Sequence, residues 1–176
     1  MEGKIMMTLY KWNALLLMLT IGLMLYFTGC APKVIPYSQS TDAPEPNQVA
    51  VAHYNWGMAS AKNGNFDQAI MELHLAIQNE PGWVMPLFTL GVVYGNQGEL
   101  DKAIQVWERA TQLDADFAKA HYNLAVAYLH KEEKTRSITS LRRAIQIDKE
   151  AISSAKADPA FDSIRNTSEF QDILTN

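Results

Sequence analysis

Few residues of this chain could do chemistry. There is one cysteine, Cys30, and there are four histidines, His53, His74, His121 and His130. A thiolate can serve as a nucleophile or a metal ligand, and a histidine can ligate a metal or move a proton near neutral pH. Spacing assembles neither chemistry. His53 and His121 do not stand within a helical turn of another histidine, a cysteine or a cluster of carboxylates, and His74 and His130 read as solvated or hydrogen-bonded surface residues rather than ligands. The chain lacks an HExxH string, a Gly-rich phosphate loop and a nucleophile elbow. No catalytic residue, metal or cofactor is therefore expected, and an enzyme is disfavoured. A lone cysteine also leaves no intramolecular disulfide to form.

Cys30 has an informative context. Lys4 and Lys11 precede an apolar run from Ala14 to Gly29, the order of a secretory signal over 1–29. The alternative, an uncleaved anchor, is marginal, because spanning needs about 20 apolar residues. The string Phe27-Thr28-Gly29-Cys30-Ala31 resembles the lipobox of bacterial lipoproteins, with Phe27 in place of the usual leucine. The resemblance implies cleavage before Cys30 and acylation of that residue. It places the protein in a bacterial cell envelope, anchored by lipid and facing the periplasm. Ala31, where an aspartate would signal retention, resembles sorting to the outer membrane. Residues 30–47 then form a linker with Pro32, Pro36, Pro44 and Pro46. Extended at about 3.1 Å per residue, it reaches roughly 50 Å.

The rest of the chain is periodic. Gly57, Gly91 and Ala125 fall 34 residues apart, as do Ala69, Ala103 and Ser137, and Ala76, Ala110 and Ala144. Large apolar residues keep the same interval at Trp56, Leu90 and Leu124 and at Leu73, Trp107 and Leu141. Within each unit the small and large residues share a helical face. The small residue allows close approach of a second helix, and the large neighbour is expected to fill the space around it. Asn63-Gly64-Asn65 and Gln97-Gly98-Glu99 read as turns, and Pro81 closes the first unit.

This pattern is similar to that of the tetratricopeptide repeat, a helix–turn–helix unit that stacks into a solenoid. The resemblance covers 50–149, as units 50–83, 84–117 and 118–149. It implies an all-α, right-handed α-solenoid with a C-terminal cap over 150–176. The first unit has Ser60 where the family has tyrosine. The third has Lys131-Glu132 for the turn glycine, Ser137 for alanine and Lys149 for proline. A divergent last unit suits a solenoid end, which must meet solvent. Residues 150–157 are expected to continue as a helix that stops at Asp158-Pro159. Phe161, Ile164, Phe170 and Ile173 then read as an apolar closure.

The family is a platform for partners, and its groove is lined by one stripe of each first helix. Here that stripe is Val51, Tyr54 and Met58, then Met85, Phe88 and Val92, then Lys119, Tyr122 and Val126. Its aromatics Tyr54, Phe88 and Tyr122 keep the 34-residue interval. Chaperone-type members carry Lys, Asn and Arg here to clamp a terminal carboxylate. Only Lys119 and Asn123 fit that pattern, so an apolar strand or the apolar face of a partner helix is the expected occupant. The alternative is that the linker or the C-terminal lid covers the stripe.

Charge narrows the classes further. Removing Lys4, Lys11 and Glu2 leaves 13 basic and 18 acidic side chains, a poor balance for binding nucleic acid. Residues 118–149 hold a basic cluster of Lys131, Lys134, Arg136, Arg142 and Arg143, expected as a solvated helix face. The resulting expectation is a membrane-tethered adaptor that binds protein and assists an envelope assembly. Its layout is similar to pilotin-like lipoproteins and to lipoproteins that scaffold peptidoglycan hydrolases. The alternative is a structural subunit that oligomerises or docks through its ends.

Overall fold

The computed structural model describes residues 46–175, whose regular elements are all helices. The signal-like run, Cys30 and most of the linker lie outside the described residues. Three antiparallel helix pairs follow in order: α1 (Gln48–Lys62) with α2 (Phe66–Asn79), α3 (Val84–Asn96) with α4 (Leu100–Leu113), and α5 (Ala118–His130) with α6 (Lys134–Ile147). Two short helices, α7 (Glu150–Ala157) and α8 (Ser168–Thr175), close the chain, with a 3-10 turn at Pro159–Phe161 between them. Each pair is one unit of the 34-residue period, so the fold is an all-α solenoid with a C-terminal cap. Among the described residues, no helix is long and apolar enough to cross a membrane.

Local chemistry sets the helix ends. The Asn47 side chain accepts the Ala50 N–H at 2.8 Å and caps α1. Gly64 and Gly98 adopt φ values of 77° and 76° at the ends of α1 and α3, where a side chain would be strained. The third unit has Glu132 at the same place, and it adopts φ 61° all the same. The turn geometry is thus imposed by the packing of the pair rather than by the residue. Asp158 ends α7 and caps the following turn through the Ala160 N–H, at 2.9 Å.

Packing within the pairs follows the small residues. Ala69, Ala76, Ala103, Ala110 and Ala144 are wholly buried, and so are Leu73 and Leu141. Gly91 allows the tightest approach: a Cβ there would lie 2.6 Å from two carbons of the Trp107 indole. Ser137 occupies the third unit's alanine place, wholly buried, and its hydroxyl has no hydrogen-bond partner among the described residues.

One expectation changes. Trp56 does not fill space as Leu90 and Leu124 do; it is 59% exposed, because no described unit precedes α1 to cover it. Glu72 is buried and holds His53 Nδ1 at 2.8 Å. The closure behaves as read: Phe161 and Phe170 are fully buried against Leu141 and Ile145, together with Ile164 and Ile173.

The basic cluster of the third unit is largely neutralised across the unit boundary. Lys131 pairs with Asp101, and Arg143 reaches Asp116 at 2.8 Å. Arg136 reaches Glu108 at 2.8 Å and lies over the Tyr128 ring. Exposed pairs of this kind contribute at most about 1 kcal/mol each. Their effect here is to align the second and third units.

Candidate interaction groove

The first helices α1, α3 and α5 carry the predicted stripe, and their packing divides its residues into two groups. The aromatic members are braced. Tyr54 packs on Trp83 with ring centroids 4.8 Å apart, Phe88 on Phe117 at 5.0 Å, and Tyr122 on Phe161 at 5.7 Å. Trp83 and Phe117 are themselves one period apart, a repeat that the sequence reading missed. Each stands just before the next first helix and folds back on the aromatic of the preceding unit. After the third unit the closure supplies Phe161 in the same role.

Polar partners fix the rings. The Tyr122 hydroxyl donates to Asp158 Oδ2 at 2.9 Å. Burial, then the Asp158 carboxylate, pushes its pKa well above the ordinary phenol value. Tyr54 shifts in the same direction through burial, and its hydroxyl accepts from Thr89 at 3.5 Å. These phenols stay protonated at any physiological pH, so they act as rigid hydrogen-bonding walls and not as acids.

Between α3 and α5 the stripe opens into a pocket of about 520 Å³. Val92, Tyr122 and Val126 line it, three of the nine expected groove residues, with Trp107 as a floor. Asn96, Asn123, His130 and Asp158 add polar groups. Trp107 reaches this floor because Gly91 lacks a side chain, and its indole N–H donates to the Phe88 carbonyl at 3.1 Å. Val51, Met58 and Met85 are half-buried on the same helices, and Lys119 is exposed. An apolar trough with a few amide and imidazole groups can hold a side chain or a short stretch of helix or strand. It brings together no nucleophile with a base.

Two of the histidines are structural in geometry. His53 bonds Glu72, and His121 Nε2 faces the Ala115 carbonyl at 3.1 Å. No group of three or more metal-ligating side chains occurs among the described residues.

A family model described as "TPR repeat" matches residues 91–132, and one described as "Tetratricopeptide repeat" matches 118–150. No curated protein matches the chain. Among solved structures, one of MamA is 25% identical, covering 72% of this chain and 68% of that one, with a TM-score of 0.59. The first TPR of Spaghetti (RPAP3), solved bound to the HSP90 peptide SRMEEVD, is 16% identical over 73% of this chain and 92% of that one, at 0.58. The N-terminal domain of stress-induced protein-1 from C. elegans is 19% identical over 65% of this chain and 97% of that one, also at 0.58. The likeness in the last two is one of fold alone.

Proposed function

We propose that this tetratricopeptide-repeat solenoid is a lipid-anchored adaptor of a bacterial cell envelope. It faces the periplasm from the outer membrane and holds an apolar segment of a partner protein for an envelope assembly. The trough between α3 and α5 carries the reading. Its apolar lining of Val92, Trp107, Tyr122 and Val126 suits the apolar face of a helix or an extended strand. The acidic HSP90 peptide seen with the RPAP3 repeat is a poor template here, since Lys119 and Asn123 alone match a carboxylate clamp. The anchoring half of the proposal rests on the lipobox-like string ending at Cys30.

The test treats the two halves separately. A photo-crosslinking residue in place of Val92, in the full chain in its own cells, should capture one protein. A second substitution, Val126→Asp, should lower that capture at least tenfold with helicity unchanged. Capture that survives Val126→Asp would overturn the groove reading. Cys30→Ser should abolish incorporation of labelled fatty acid and leave a precursor. Processing and labelling like the parent would overturn the anchor. Tyr122→Ala is the wrong variant for the groove, because it also strips Phe161 of its partner.

A further inference from the structure

The outward face of α1 is a stacking surface that nothing covers among the described residues. Val49, Ala52, Trp56 and Ala59 recur at i, i+3, i+7 and i+10, one stripe along the helix. One period on, the same places are Trp83, Pro86, Leu90 and Val93, all buried. Two periods on they are Phe117, Ala120, Leu124 and Ala127, of which Ala120, Leu124 and Ala127 are buried. In those units the stripe docks on the preceding pair. In the first unit Val49 is 54% and Trp56 59% exposed. Terminal units of a solenoid normally turn a polar face outward, and this one is apolar throughout. The Trp56 ring is also held in place, edge-on to His53 at 5.8 Å.

We infer that this face binds a second copy of the chain, α1 against α1 in antiparallel order about a two-fold axis. Three observations select that occupant. First, the stripe alternates large and small and is self-complementary. An axis at residue 54 sets Val49 opposite Ala59 and Ala52 opposite Trp56, so large meets small at every place. Second, the other end of the solenoid is closed by α7, α8 and the buried Phe161 and Phe170. A second copy cannot add head to tail, and only an isologous, closed pair remains. Third, α1 carries a single permanent charge, Lys62. In this register the two Lys62 residues fall at opposite ends, roughly 24 Å apart at about 1.5 Å per residue, beyond screened repulsion. The interface leaves the trough between α3 and α5 untouched, so it stands or falls independently of the proposed function.

The full chain, purified in detergent, tests the pairing. Light and ¹⁵N-labelled copies carrying a photo-crosslinker at position 56 are mixed, irradiated and digested. The expected product joins a light to a heavy copy and maps to α1 near Ala52. In the uncrosslinked parent, sedimentation should report two protein chains per particle. Trp56→Glu, and separately Val49→Glu, should lower the paired fraction at least tenfold with helicity unchanged, since both side chains are exposed in the single chain. A particle with one chain in the parent, or a crosslink to another protein or to residues 1–45 of the same copy, would overturn the inference. A light–heavy crosslink mapping outside α1 would do the same.

Discussion

Gly91 and Trp107 occupy what is sterically one position. The indole ring lies where a Cβ of residue 91 would be, 2.6 Å from two ring carbons. The ring itself is pinned by its hydrogen bond to the Phe88 carbonyl. Gly91→Ala should therefore destabilise the domain by about 1–3 kcal/mol through overpacking, although alanine is the better helix former by about 1 kcal/mol. Pairing it with Trp107→Leu should cost less than the two single changes added together. Urea unfolding of the four chains measures this, and strict additivity would contradict the contact.

The third unit should be the easiest to stabilise. Glu132 sits in the left-handed region that costs a side chain roughly 1–2 kcal/mol. Part of that is returned when glycine loosens the unfolded chain, so Glu132→Gly should gain about 1 kcal/mol. Ser137→Ala should gain a similar amount, by removing a buried hydroxyl without a partner. Both are read as a rise in the urea midpoint at unchanged slope.

Acid should weaken the fold through His121. Burial, reinforced by the Arg143 guanidinium, lowers its pKa below the ordinary 6.5, while the Ala115 carbonyl, Asp114 and Asp116 act in the opposite direction. The unfolded chain then binds the proton more readily than the folded one. The stability owed to the neutral ring is complete above pH 6.5 and is lost as pH falls from there to the folded value. His121→Gln should flatten that part of the decline between pH 7.5 and 5. A parent and variant that keep a constant difference in thermal midpoint across this range would contradict the assignment.

The sequence disclosed the solenoid because its constraint is periodic. Gly57, Gly91 and Ala125 must each admit a second helix, and equal demands at equal intervals leave a visible signal. What it concealed breaks the period. Glu72 lies where the other units have Val106 and Ser140, and only the fold reveals that His53 satisfies it. The aromatic at the third brace comes from Phe161, outside the series that Trp83 and Phe117 begin, so no offset could find it. The groove was legible as a stripe of residues. Which of them face open space was not, because that depends on the rings folded back from the next unit and the closure.

The bracing aromatic has a consequence for how such a chain can change length. Trp83, Phe117 and Phe161 fill equivalent notches, yet the last comes from a segment that belongs to no unit. The ending is fitted to the third pair alone and is indifferent to how many pairs precede it. Duplicating 84–117 in frame would lengthen the solenoid and add a trough while leaving its terminus intact. Removing 118–149 would strand the terminus without the surface it was shaped to close. Growth of this architecture is thus permitted in the middle and forbidden at the tail.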